Sequence, residues 1–156
     1  VNLPVDDSLL DVIPLQSETL ALAVPNSMLH LLKDHTLYQE VDFSQCEQLP
    51  FVVVSPTQEM RVIFDKLCAA ADFHPNIAVE VHGGVISAWS MARAGIGATV
   101  LPLQFLRSGN LAENLSLFPL KDNAYSRQPV IVTRKRQFLS EYARYAIELL
   151  SGSEAE

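Results

Sequence analysis

Phe51-Val52-Val53-Val54 runs without a polar residue into Ser55-Pro56-Thr57-Gln58, and a helix-period apolar stripe begins at Met60. A short β-rich run lacking polar alternation marks a strand covered on both faces. The stripe, Met60, Ile63, Phe64, Leu67, Cys68 and Ala71, gives one face of a helix a reason to bury itself. Ile77, Val79 and Val81 then alternate, which is strand spacing again. A covered strand, a tight connection, an amphipathic helix and a second strand leave little choice: the strands run parallel and the helix lies on their sheet.

The same alternation of elements continues. His82-Gly83-Gly84 is a tight connection into a helix over residues 85–94, and Gly95 ends that helix, because glycine takes the left-handed terminal conformation without steric cost. Ala98-Thr99-Val100-Leu101 is a third strand, closed by Pro102. Upstream, Leu20, Leu22 and Val24 alternate with small residues as far as Pro25, and Asn26 or Ser27 stands where it can cap a short helical turn reaching Lys33. Downstream, a short helix is expected near 103–107 and strands over 115–120 and 129–133. Leu139, Tyr142, Ala146, Leu149 and Leu150 make a last helix, with Ser140 as its cap and Gly152 as its stop. The fold class is α/β, with helices on the faces of a parallel sheet. In such sheets ligands sit beyond the C-terminal strand ends, where helix N-termini converge.

Charge excludes one function. Eleven Lys and Arg against eighteen Asp and Glu give a net charge of −7, whereas nucleic-acid affinity comes largely from basic residues neutralising phosphates. Arg134-Lys135-Arg136, the one basic run, reads as a solvated turn. This chain is not expected to bind DNA by itself. Cys46 and Cys68 are too few for a disulfide framework, and Cys68 falls on the apolar helix face as a small hydrophobe. That usage suits a reducing, cytoplasmic setting. No apolar stretch is long enough to cross a bilayer, and nothing in the sequence directs export.

Candidate chemistry gathers after the first covered strand. Ser55 can cap the helix, Pro56 suits the first helical position, and Gln58 stands where a capping box places Glu or Gln. The same spot, where backbone N–H groups and the helix dipole point outward, attracts a carboxylate, sulfate or phosphate, and Ser55, Thr57 and Gln58 can add donors. Capping and ligand contact both remain open for these residues. Gly83 and Gly84 either allow backbone to approach a ligand closely or simply make a turn. Thr99 either points into a cleft or is an ordinary strand residue. His30, His35, His74 and His82 lack the spacing of a metal set; His82, beside the glycines, is the one of interest. There is no phosphate loop, no nucleophile elbow and no evident carboxylate pair, so neither a cofactor nor a metal nor enzymatic activity is expected.

The motifs in order, Leu49-Pro50-Phe51-Val52-Val53-Val54, a helix ending at Ala71-Asp72-Phe73, Pro75-x-Ile77-x-Val79-Glu80-Val81, then Ala94-Gly95-Ile96-Gly97 and Ala98-Thr99-Val100-Leu101-Pro102, strongly resemble the effector-binding domain of LysR-type transcriptional regulators. Leu20 to Pro25 followed by Asn26-Ser27 is also similar to a strand of that family. The likeness covers nearly the whole chain, and its most specific part is Ala94-Gly95-x-Gly97 through Leu101-Pro102. It implies a type II periplasmic-binding-protein-like fold of two Rossmann-like lobes joined by two crossing strands, here near Leu20 to Val24 and Val130 to Thr133.

Residues 25–128 would form the second lobe; residues 1–24 and 129–156 would be the remainder of an N-terminally truncated, incomplete first lobe. The resemblance further implies a small, anionic effector between the lobes, held on the second lobe by Ser55, Thr57, Gln58, Gly83, Gly84, Val85 and Thr99. DNA would be contacted only through a helix-turn-helix domain absent from this chain, and the full-length protein would be a homo-oligomer with no membrane contact. Gly84 departs from the pattern, since many members place a capping Ser there. A peroxide-sensing branch uses paired cysteines; Cys68 lies near one of those positions, but Glu59 or Met60 stands at the other, so thiol sensing is not expected. The alternative reading is a solute-binding receptor of a transport system with the same fold.

Overall fold

The structure is a computed structural model and describes residues 8–37, 39–103, 113–121 and 126–152. In chain order its strands and α-helices are β1 (Leu10–Pro14), β2 (Leu20–Pro25), β3 (Pro50–Val54), α1 (Glu59–Ala70), β4 (Asn76–Val81), α2 (Gly84–Arg93), β5 (Thr99–Pro102), β6 (Leu115–Pro119), β7 (Val130–Arg134) and α3 (Glu141–Ser151). Short 3₁₀ turns occupy Asn26–Leu31 and Phe43–Cys46. Of the helix expected near 103–107, only Leu103 falls within the described residues, in a turn. Contacts divide the chain into two units, Val1–Glu18 with Ser126–Glu156, and Thr19–Tyr125.

In the smaller unit β1 and β7 pair antiparallel, Leu10 opposite Arg134 and Pro14 opposite Val130. Glu18 and Arg127 extend the pairing as a bridge and add an ion pair at 2.9 Å. Ser140 caps α3 as its sequence position suggests, its Oγ accepting the Ala143 N–H at 3.2 Å. Gly152 ends the helix at φ 69°. The apolar stripe of α3 is nonetheless exposed, Tyr142 at 88% and Leu150 at 66%, and no residue of the helix is buried.

In the larger unit β2 is buried along its whole length and lies between β5 and β6, antiparallel to both. β3 and β4 pair in parallel. β3 meets the start of β5 through a parallel bridge between Phe51 and Ala98, made by Ala98 N–H to Pro50 O and Val52 N–H to Ala98 O, both 2.8 Å. The sheets are therefore mixed, and the parallel arrangement expected throughout holds only around β3. Tight strand–helix–strand connections enforce parallel pairing from β3 to β5; β2 and β6 lie outside that stretch and escape the rule.

α1 buries Met60, Ile63, Phe64, Leu67 and Cys68, the stripe read from the sequence. These meet a core whose aromatic centre is Phe43, Phe51, Phe64 and Phe73, with Phe51 and Phe64 at 5.0 Å between ring centroids and Phe43 stacked on Phe73 at 5.6 Å. Burying each such ring is worth roughly 1.5–3 kcal/mol, so α1 is fixed firmly on β3. β4 departs from its expected alternation. Val81 is buried, but Ile77 is 39% exposed, because β4 pairs only with β3 among the described residues and its register shifts between Phe51 and Val52.

The helix ends explain two motif positions. Gly95, at φ 79°, follows the last turn of α2; its N–H reaches Ala92 O and the Ile96 N–H reaches Met91 O, a Schellman arrangement. Asp72, at φ 57°, performs the same turn for α1, where Phe73 N–H reaches Cys68 O. The 3₁₀ turn at Asn26 corrects an expectation: neither Asn26 nor Ser27 caps it, and Pro25 stands at the cap position without a side-chain bond. Asn26 instead ties to the chain entering β6, through Glu113 O at 3.0 Å and Ser116 Oγ at 2.7 Å.

Candidate functional site

Because β3 and β4 run parallel, their C-terminal ends lie on the same side, and the two connections that follow, Ser55–Gln58 and His82-Gly83, open side by side into α1 and α2. The first is a β-turn. Gln58 N–H donates to Ser55 O at 3.0 Å, with Pro56 at the position that suits its fixed φ. This moves the start of α1 from where the sequence places it. Ser55 is not the cap, Pro56 is not helical, and there is no capping box; Gln58 is itself the N-cap, without a side-chain capping bond.

Released from capping, the three polar side chains bond to one another. Ser55 Oγ lies 3.3 Å from Thr57 Oγ1, and Gln58 Nε2 donates to Ser55 Oγ at 3.4 Å. Gln58 Nε2 also reaches the backbone oxygen of His82 at 3.5 Å, which joins the two connections. Ser55 is 7% exposed, Thr57 is exposed and Gln58 is half-buried. On the α2 side, Gly84 has φ 74°, and a methyl group there would sit 3.6 Å from Gln58 Oε1. Gly84 thus serves first a conformational need, with room left beside it.

The structure brings Ser55, Thr57, Gln58, His82, Gly83 and Gly84 together. Val85 is partly buried and packs against both apolar clusters of the unit. Thr99 is 3% exposed, pairs with Ala23 in the sheet, and lines a cavity of about 10 Å³ with Val54, Met60 and Arg61. That space admits at most one water. His82 contributes its carbonyl to the cluster, not its ring.

Sequence reasoning missed Arg61, one turn into α1. Its side chain is 14% exposed, and its guanidinium bonds Asp65 and Glu80, each at 2.9 Å, and Val54 O at 3.4 Å. Asp65 first, and then Glu80, raise its pKa above the ordinary arginine value against the opposing effect of burial. Its charge is therefore spent within the fold, tying α1 to β3 and β4. The i,i+4 spacing of Arg61 and Asp65 was the available signal. Cys46 and Cys68 are free and buried, and desolvation, the first cause for each, pushes both thiols up to about 12. Among the described residues no three His, Cys, Asp or Glu gather as metal ligands, and no helix is long and apolar enough to cross a membrane.

The unit is mixed α/β, its parallel strands delivering two helix starts and a polar cluster to one end, and its family match and structural likenesses give it the type II periplasmic-binding-protein-like fold. Within that class the chain belongs to the family described as LysR substrate binding domain, whose profile matches residues 1–154. The regulatory domain of CcmR from Synechocystis PCC6803, solved in complex with 2-PG, superposes with a TM-score of 0.76 at 14% identity, covering 98% of this chain and 71% of that one. The effector binding domain of QuiR in complex with shikimate gives 0.69 at 16% identity, over 96% and 68%. At these identities the likeness establishes the fold. In sequence the chain is 26% identical to the uncharacterized HTH-type transcriptional regulator YcgK of Bacillus subtilis (strain 168), over 96% of this chain and 49% of that protein. It thus spans about half the length of that relative. The family match favours a regulator over a transport receptor.

Proposed function

We propose that this chain is the ligand-sensing part of a cytoplasmic LysR-type transcriptional regulator. In this reading Ser55, Thr57, Gln58, Gly83 and Gly84, with Val85 and Thr99 behind them, are its share of the seat for a small anionic effector. The observation that carries the reading is the meeting of two parallel-strand connections at Gln58 and His82, which places a polar cluster where two helices begin. Backbone N–H groups and helix dipoles there favour negative charge. The small molecules named with the CcmR and QuiR domains support an effector of modest size. Residues 25–128 act as the second lobe, and residues 1–24 with 129–156 as part of the first.

DNA contact is assigned to another part of the full-length regulator, since a net charge of −7 disfavours phosphate binding by this chain. The effector acts by favouring one arrangement of a homo-oligomer over another. The domain senses; it does not catalyse. Calorimetric titration with a panel of small carboxylates, shikimate included, tests the site. Thr57→Ala and Gln58→Ala should each weaken the best ligand about fivefold, the value of roughly 1 kcal/mol in hydrogen bonding. Unchanged affinity in both variants removes these side chains from the seat.

A further inference from the structure

We propose that α3 is a self-association surface, through which two copies of this chain pair by its apolar stripe in an antiparallel, two-fold arrangement. The inference goes beyond the effector seat and stands apart from it; neither depends on the other.

α3 has three sides. Ala143, Ile147 and Ser151 recur every fourth position, are half-buried and mark the side turned inward. Glu141, Arg144 and Glu148 gather on a second side, which meets water. Tyr142, Tyr145, Ala146, Leu149 and Leu150 make the third by helical spacing, and Phe138 stands just ahead of it. Phe138 is 86% exposed, Tyr142 88%, Tyr145 62%, Leu149 65% and Leu150 66%. Charged residues already supply this helix with a solvent side. A second, apolar side left bare is the kind of contiguous patch that marks a protein–protein contact.

The pattern of the stripe fits a second copy. Its N-terminal half carries the rings and its C-terminal half the leucines. Two helices running antiparallel about Ala146 lay Tyr142 and Tyr145 of one copy against Leu149 and Leu150 of the other, twice over, as a two-fold contact requires. Ala146 is small enough to let the helices approach where they cross. Tyrosine hydroxyls reach the rim, where water satisfies them. The charged residues lie outside the stripe, so pairing does not strip them of water. The area suffices. Five large side chains, each more than three-fifths exposed, offer on the order of 600 Å² per copy. Both copies together offer roughly 1,200 Å², the lower edge of stable interfaces and well above an incidental contact.

Sedimentation equilibrium of the whole chain tests the pairing. The mass should rise from one copy to two with concentration. Tyr142→Glu and Leu149→Glu, at positions exposed in the fold, should each raise the dissociation constant at least about tenfold with unchanged circular dichroism. Arg144→Gln, on the charged side, should leave it as it is. Cross-linking reads the arrangement: with an added oxidant, Ala146→Cys should join copy to copy through a disulfide, because that position meets its own counterpart at the crossing, and Arg144→Cys should not. A chain that stays monomeric at every concentration, or a dimer undiminished in both glutamate variants, overturns the proposal. Equal cross-linking at the two cysteine positions overturns the antiparallel crossing.

Discussion

Replacing Gly97 by alanine should destabilise the larger unit by about 3–5 kcal/mol. The estimate comes from the room available. A methyl group on Gly97 would lie 2.7 Å from the Pro50 carbonyl oxygen, 3.1 Å from its carbon and 3.3 Å from the Phe51 carbonyl carbon. All three are backbone atoms, so no side chain can swing aside. Pro50 O is also the acceptor for Ala98 N–H, and Ala98 O accepts from Val52, both at 2.8 Å. Making room therefore separates β5 from β3 and stretches the two bonds that join them, each worth about 1 kcal/mol. Overpacking adds roughly 1–3 kcal/mol.

Urea unfolding followed by circular dichroism measures the difference. Gly95→Ala is the control, because open space surrounds Gly95 and only its φ of 79° opposes a side chain; it should cost about 1–2 kcal/mol. If Gly97→Ala falls within about 0.5 kcal/mol of the wild type, the close approach of β5 to β3 is wrong.

Three further outcomes follow from local geometry. Asp72 holds the left-handed turn after α1 at φ 57° and places a negative charge at a helix C-terminus; Asp72→Gly should raise stability by about 0.5–1 kcal/mol, and a loss in thermal unfolding would refute the reading. Asp42 caps the Phe43–Cys46 turn, and donors from Ser44 hold its carboxyl below the ordinary aspartate value. A depressed folded pKa contributes stability above the unfolded value and loses it as pH falls through the folded one. Asp42→Ala should therefore cost about 1 kcal/mol at neutral pH, and the gap from wild type should narrow in urea titrations as pH falls below the ordinary carboxylate range; a gap that widens there contradicts the capping role. Cys46 and Cys68, with thiols pushed to about 12, should resist iodoacetamide in the native chain and react once it is unfolded; rapid native labelling of either contradicts its burial.

What the sequence disclosed follows how local each signal was. β3, the buried face of α1, the glycine stop at Gly95 and the caps at Ser140 and Gly152 depend on a few adjacent residues, and the structure has them where the pattern puts them. β1 was not legible. Its five residues, Leu10–Pro14, are half-exposed and owe their strand to β7, more than a hundred positions away. Ser55 and Pro56 read as a helix start in the sequence, and the Gln58 to Ser55 backbone bond makes them part of a β-turn before it. The alternation of Ile77, Val79 and Val81 gave the strand correctly and its burial wrongly, since edge position and register shift are not written in β4 itself. At the candidate site the residue types could be read from the sequence. Their bonding could not, because the Gln58 link to His82 spans 24 positions.

Chemical-shift mapping of the backbone amides during titration with a panel of small carboxylates tests the central claim most directly. The account predicts that a binding acid shifts the amides of Ser55, Thr57, Gln58, Gly83 and Gly84 together, in proportion to one saturation curve. Shifts confined to other surfaces, such as Arg134 to Arg136, with these five unmoved, would contradict it.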